Sequence, residues 1–265
     1  MTCKKLTTCD EACYYFQNGY KALDRDKDGI PCEALCKKQC TTKQKKIKEY
    51  RKPLSNKTII LNKFFNKKKC DQILLNNGFF KTCYNYEMKG ANFVAYTIKG
   101  KNVDKMNIKK RPSFYEDKNI PKQYRSHSND YKNNRYKNDR GHLAEDASFD
   151  YSQRSLKSVY TMSNIIPQHK SINRSDKAWK GLEKFARSLA KGLGSINVLN
   201  GVEYDKKPKR IGRGKIAIPK AYWKILYNED GYKQCFYFEN TNKDKIKGIN
   251  DYEVNCKKLI KDSIR

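Results

Sequence analysis

The sequence predicts an α+β fold in which a mostly antiparallel central sheet packs on one principal helix, preceded by a small disulfide-rich module. Three observations lead there. Strand-like runs, "ANFVAYTIKG", "SINVLNGVEY", "GKIAIPKAYWKILYN" and "KQCFYFEN", surround one strong helical stripe, Trp179, Leu182, Ala186 and Leu189. Strands grouped around a helix, without strict strand-helix alternation, favour antiparallel pairing. Six of the ten cysteines (Cys3, Cys9, Cys13, Cys32, Cys36, Cys40) crowd the first forty residues, a length that needs cross-links to hold a fold.

The chain of 265 residues divides by composition into a module at 1–40, a basic linker at 41–65 and a main domain at 66–265. The first forty residues hold seven Lys/Arg and six Asp/Glu, a net +1, whereas the whole chain carries +30, so +29 lies beyond Cys40. An excess of that size is an electrostatic footprint for nucleic acid, with a Lys- and Asn-rich compositional bias as the competing reading. An even number of cysteines points to an oxidising compartment, which makes the protein secreted, periplasmic or attached to the cell surface. Cys70 with Cys83 and Cys235 with Cys256 are spaced to close two local loops, each contributing roughly 3 kcal/mol on the loop-entropy model. Cys32, Cys36 and Cys40, four apart, leave a zinc site open as an alternative. No run approaches the roughly 18 to 20 apolar residues of a membrane span. "MTCKKLTTCD" lacks the apolar core of a signal peptide, so export implies a leader already removed.

Within the main domain, "ANFVAYTIKG" alternates as a strand, and the polar segment at 112–139 is too long for an ordinary connection. "SVYTMSNIIP" reads as a strand stopping at Pro167. Residues 173–191 read as one helix, and a short helix follows Asp251.

In the first module, Asp24, Asp26 and Asp28 occupy alternate positions of "DRDKDG", and Gly29 stands where the chain must turn. Three carboxylates, the carbonyl of Ile30 and the carboxylate of Glu33 form an oxygen cage suited to Ca²⁺. Glu33 stands at loop position ten where an EF-hand has twelve. The stretch "NGYKALDRDKDGIPCE" with Cys9 upstream resembles the excalibur calcium-binding domain over residues 8–36. The resemblance implies Asp24, Asp26, Asp28 and Glu33 as calcium ligands and a Cys9–Cys32 disulfide. An acidic turn without an ion is the alternative, opposed by the repulsion of three crowded carboxylates.

The main domain carries "DRGHLAEDASFD", with His142, one of three histidines, two residues after Arg140 on the same face of an extended segment. A neutral imidazole is the natural general base near neutral pH. Asp139-Arg140-Gly141-His142, then "MSNIIPQ", then Asn173 with "AWKGLE", and later "IPKAYWKILY", resemble in order the DNA/RNA non-specific endonucleases of the ββα-metal class over residues 70–260. The resemblance implies a ββα-metal nuclease fold, with His142 as base and Asn173 as the one direct protein ligand of Mg²⁺ (or Mn²⁺). It implies that Glu183 organises the metal's waters, that Arg140 and Arg187 contact the scissile phosphate, and that Asn164 holds the site. Arg111, in "KKRPSFY", is a further candidate phosphate contact. On one continuous helix Asn173, Glu183 and Arg187 would fall in a sector of about 80°.

Two positions depart from that family's pattern. Glu145 stands where proline is usual, and it is expected to face solvent. Asn173 stands six residues before Trp179 where four is usual. The implied function is an exported, sequence-non-specific endonuclease acting on DNA and RNA and leaving 5′-phosphates. The rival is a non-catalytic nucleic-acid-binding or surface-attachment protein with a calcium module.

Overall fold

Alternation along the strands builds the centre of the fold. In the computed structural model, which describes Cys3, Cys9, Ala12, Cys13, Phe16 and residues 21–37, 39–40, 64–65, 68–241 and 248–264, one sheet has six strands. They are β1 (Gln72–Leu74), β2 (Phe80–Asn85), β3 (Gly90–Lys99), β6 (Ser195–Glu203), β9 (Ala221–Tyr227) and β10 (Lys233–Glu239). They lie side by side in that order, and every neighbouring pair is antiparallel. Two ribbons stand apart: β4 (Asn138–His142) with β5 (Ile165–His169), and β7 (Arg210–Ile211) with β8 (Ile216–Ala217).

Because side chains alternate across a strand, the fully buried run β9 feeds two cores at once. Tyr222 and Leu226 join the core under the principal helix, whereas Trp223, Ile225 and Tyr227 join a second core behind the sheet. That helix, α3 (Trp179–Leu193), buries Trp179, Leu182, Phe185, Ala186 and Leu189 on the front face. Each large apolar side chain so buried contributes roughly 1.5 to 3 kcal/mol. The back is closed by Phe64, Phe65 and Leu259 of α4 (Cys256–Ile264). Phe64 and Phe65 pack on Phe93 at 5.5 and 4.9 Å between ring centroids, so these two residues, assigned by sequence to the linker, belong to the main domain. The linker's other residues, 41–63, lie outside the described residues.

Several elements differ from expectation. "SVYTMSNIIP" is not one strand: α1 (Gln153–Val159) ends inside it, a 3₁₀ turn covers Met162–Asn164, and β5 begins at Ile165. The strand runs through Pro167, opposite Arg140, because a two-strand ribbon leaves an edge where the missing N–H costs no ladder bond. The helix foreseen from residue 173 is also broken. Lys170–Asn173 form a separate turn, α2, and α3 starts only at Trp179. The polar segment is pinned to the body by hydrogen bonds from Ser126 Oγ to Met162 O (3.2 Å) and from Tyr131 Oη to Ile165 O (3.2 Å).

The disulfides are Cys3–Cys32, Cys9–Cys36, Cys13–Cys40, Cys70–Cys83 and Cys235–Cys256. The last two match the local loops read from spacing. The Cys9–Cys32 pairing is corrected. The Cys36 amide donates to the Cys32 carbonyl (3.0 Å), so Cys32 and Cys36 stand one turn apart and take Cys3 and Cys9 in parallel register. The zinc alternative fails with it, because Cys32, Cys36 and Cys40 sit in three different disulfides.

Candidate active site

The β4–β5 ribbon and the helices after it gather the residues singled out by sequence. On β4, Arg140 and His142 share Phe114. The Arg140 guanidinium lies 4.8 Å over the Phe114 ring, and the His142 ring is 5.6 Å from it and 4.9 Å from Tyr160. Gly141 lies against β5, where a Cβ would overlap the Gln168 side chain. Nε2 of His142 is buried and has no hydrogen-bond partner among the described residues. Burial pushes the imidazole down to about 4, with Arg111 adding to the effect and the carboxylate of Asp146 opposing it. The ring is therefore neutral near pH 7 with a lone pair free.

Asn164, fully buried, clamps the chain just after His142. Its Oδ1 accepts from the Ala144 amide (2.8 Å), and its Nδ2 donates to the carbonyls of Ala144 and Val159 (both 2.9 Å). Both polar atoms of its amide are thereby committed to the backbone on either side of this turn.

At the end of α2, Asn173 Nδ2 donates to Asp139 Oδ2 (3.0 Å). Arg174 Nε and Nη2 bind the same carboxylate at 2.7 and 2.6 Å. These partners hold Asp139 below the usual carboxylate range although burial acts the other way. With its nitrogen committed to Asp139, Asn173 has Oδ1 left to face a cation. Among the described residues, no group of three His, Cys, Asp or Glu ligands converges here. The donor set thus fits a hard divalent ion that keeps most of its waters, as Mg²⁺ does.

Glu183 and Arg187 lie one turn apart on α3, the Asn173 turn being separate. Glu145 is not a solvent-facing residue. It is 1% exposed, bonded by Ser148 Oγ and by Arg187 Nη1 (3.0 Å), with Lys224 Nζ 3.9 Å from its other oxygen. The alternation that sends Tyr222 and Leu226 to the front face sends Lys224 there too. It is fully buried, directly opposite Asn200 across β6, with its ammonium 4.4 Å over the Trp179 ring. Glu183 is pushed up to about 8, mainly by burial and then by the charge of Glu145, with Lys224 and Arg187 opposing. A cation brought to this site would relieve that shift.

Arg111 is occupied by acids: Nε is 3.2 Å from Asp146 Oδ2, and Nη2 is 3.3 Å from Asp150 Oδ2. It frames the site through Asp146, whose Oδ2 also accepts from Tyr160 Oη (2.9 Å). His127 pairs with Glu116 (2.9 Å), and His169 bonds Ser171 Oγ (2.7 Å) and caps α2, both in structural roles.

Sequence reasoning assigned no role to Asp139, Lys224 or Asp146. The signal for Lys224 was a lone cation inside the apolar run "AYWKILY". The signal for Asp139 was its place beside Arg140 in the motif.

Beside the ribbon stands a basic ledge. Asp130 accepts from the Gly214 amide through Oδ1 (2.8 Å) and from the His127 amide through Oδ2 (3.2 Å), locking the loop before β4 to the β7–β8 hairpin. Gly212 and Gly214 lie so close to Asp130 that neither could carry a Cβ without displacing it. The clamp joins a segment bearing exposed Lys132, Arg135 and Lys137 to one bearing exposed Lys209, Arg213 and Lys215, and Arg135 and Lys209 both lie over the Tyr136 ring.

In the N-terminal module, the carboxylates of Asp24, Asp26 and Asp28 come within 4.8 Å of one another. Asp24 Oδ2 accepts from the Gly29 amide (2.9 Å), while its Oδ1 is buried with no partner among the described residues. Glu33 is hydrogen-bonded to Asp26, which raises Glu33 and lowers Asp26. An orphaned oxygen among crowded acids fits a calcium ion.

Comparison with known proteins agrees with both halves. The excalibur calcium-binding domain matches residues 1–33. Human mitochondrial endonuclease G is 29% identical over 157 residues, 56% of this chain and 52% of the relative. The mitochondrial nuclease of Saccharomyces cerevisiae is 29% identical over 170 residues, covering 59% and 50%. A nuclease of Nostoc is 27% identical over 158 residues, covering 59% and 54%. The chain thus spans about half the length of these relatives. Its fold is similar to the solved structure of the EndoG/EndoGI complex, with TM-score 0.61 at 22% identity over 70% of this chain and 81% of that one, in keeping with the ββα-metal nuclease fold expected from the sequence. The DNA/RNA non-specific endonuclease family matches residues 57–262, and the chain belongs to that family.

Proposed function

We propose that this protein is an exported, Mg²⁺-dependent, sequence-non-specific endonuclease that hydrolyses phosphodiester bonds of DNA and RNA and leaves 5′-phosphates. The observation that carries it is a neutral His142 on β4, its Nε2 unpartnered, together with Asn173 at the end of α2, whose amide is oriented by Asp139 of the same strand as His142. His142 takes a proton from water as the water oxygen attacks phosphorus. The bond from phosphorus to the 3′ oxygen breaks, and that oxygen leaves as a hydroxyl after protonation by water. Asn173 would hold a divalent cation, Mg²⁺ or Mn²⁺ in its place, and such an ion would stabilise the negative charge on the leaving oxygen. Arg140, exposed beside His142, is placed to steady the phosphate.

The basic ledge is placed to track the strand beyond the cut. Contacts to phosphate alone do not register base identity, hence the lack of sequence preference. Five disulfides and no free cysteine among the described residues support an oxidising compartment. No helix among the described residues is long and apolar enough to cross a membrane. The calcium loop, in a near-neutral module, is an accessory that binds Ca²⁺ through Asp24, Asp26, Asp28, Glu33 and the Ile30 carbonyl. We place that module at 1–40, ahead of the nuclease domain.

The test is incubation of plasmid DNA and of RNA with the protein and Mg²⁺, beside His142→Ala. Cleavage of both by the wild type alone, with ends that a ligase joins without prior phosphorylation, is expected. Binding without cleavage under every divalent ion would leave a nucleic-acid-binding protein instead.

A further inference from the structure

We propose that Glu145 is a positioning residue that keeps Glu183 and Arg187 from neutralising each other. The proposal rests on the nuclease reading of the site. Glu183 and Arg187 stand four residues apart on α3, the spacing at which an acid and a base on a helix surface ordinarily pair. Here Arg187 bonds Glu145 at 3.0 Å, reached from a different segment of the chain. Arg187 carries five N–H donors and gives Glu145 one hydrogen bond through Nη1, which leaves the rest of the fork free for a phosphate oxygen.

Glu145 is placed for this by its surroundings. It follows His142 by three residues, and the chain between them is clamped by Asn164. Asn200 Nδ2 adds a bond to the Leu143 carbonyl (2.5 Å). Ser148 Oγ donates to the same carboxylate oxygen that binds Arg187, which fixes the rotation of the carboxylate. Lys224 lies beneath, 3.9 Å from the second oxygen. An ion so deeply buried is costly without such a counter-charge. Lys224 is in turn held over Trp179, the first residue of α3. One carboxylate therefore ties the loop after His142, the sheet and the helix bearing Glu183 and Arg187 into one register.

The experiment is a double-mutant cycle between Glu145→Gln and Arg187→Ala, read as kcat and KM on a single-stranded oligonucleotide. Glu145→Gln is expected to lower kcat by about 10- to 100-fold while KM changes by less than about threefold, since oriented donors act mainly in the transition state. In the Arg187→Ala background the same change is expected to cost less than about twofold. An equal loss in both backgrounds, or an unchanged kcat in folded Glu145→Gln, would overturn the proposal. If leaving Lys224 unpaired unfolds the protein, Glu145→Gln with Lys224→Met removes both charges, and the kcat loss is expected to persist.

A readout independent of turnover separates this proposal from the nuclease reading. The guanidinium NMR signals of Arg187 are expected to show restricted rotation in the wild type, to move but stay restricted in Glu145→Gln as Glu183 becomes the partner, and to rotate freely when Glu183→Gln is added. Freely rotating signals in the wild type would refute the arrangement whether or not the protein cleaves.

Discussion

Asn173 Nδ2 and Arg174 Nε share one acceptor, Oδ2 of Asp139, at 3.0 and 2.7 Å. A terminal amide can rotate its oxygen and nitrogen into each other's places, and here only one orientation donates to Asp139. The carboxylate thereby chooses which atom of Asn173 faces the site.

Asp139→Asn should therefore weaken the apparent Mg²⁺ affinity by about 10- to 100-fold, the usual cost of losing the partner that orients a metal ligand. Cleavage measured against Mg²⁺ concentration checks this. Arg174, 70% exposed, gives little stability through its own pairing, so circular dichroism should be unchanged.

His142→Ala should reduce turnover by about 10² to 10⁴, the range for removal of a general base. Nucleic-acid binding should survive, because the ledge and Arg140 remain. A filter-binding assay beside the cleavage assay distinguishes the two losses.

Two titratable groups of the site, His142 and Glu183, pull stability in opposite directions with pH. His142 is held at about 4, so the unfolded chain takes up its proton first, and stability is lost as pH falls from about 6.5 to 4. Glu183 is held at about 8, so its protonated form favours the folded state below about 4.5, and that contribution is lost as pH rises to 8. Neither slope can exceed about 1.4 kcal/mol per pH unit. They offset each other between about 4.5 and 6.5, leaving a net fall from about 6.5 to 8. Urea midpoints for Glu183→Gln should lose that fall and show the His142 loss unopposed as pH drops from about 6.5 to 4.

Replacing Lys209 and Arg213 by alanine should flatten the salt dependence of binding to duplex DNA. Each phosphate contact contributes about 0.9 to the slope of log K against log salt, so the pair should remove about 1.8. A fluorescence-anisotropy series from low to moderate salt reads it. An unchanged slope would place the strand elsewhere.

Asp26→Ala should abolish calcium-dependent protection of the first forty residues from proteolysis. The wild type should gain resistance on adding Ca²⁺, because the ion would take up the unpartnered Asp24 oxygen and separate the crowded acids. Turnover of the nuclease should be unaffected.

How much of this was legible from sequence follows from the range of the interactions. Strands β3, β6 and β10 were readable because their side chains alternate against two cores. The helix stripe from Trp179 was readable for the same local reason. The motif residues of β4 could be named, since their order along the chain carries the resemblance. The break between Asn173 and Trp179 was missed because a regular stripe extrapolates backwards without showing where hydrogen bonding stops. Glu145 was misread because its partners, Arg187 and Lys224, are 42 and 79 positions away. The pairing of Cys9 was misplaced because cysteines four apart look interchangeable until the turn joining Cys32 to Cys36 fixes which sulfur meets which.

The three N-terminal bridges run in parallel order, Cys3 to Cys32, Cys9 to Cys36 and Cys13 to Cys40. Every one of them crosses the interval from 14 to 31 that contains the aspartate loop. A protease that nicks the chain anywhere in that interval leaves two pieces still fastened at three points, and they separate on a gel only after reduction. Opening any one bridge leaves two others spanning the same cut. Damage to the exposed loop is thus survivable without loss of material.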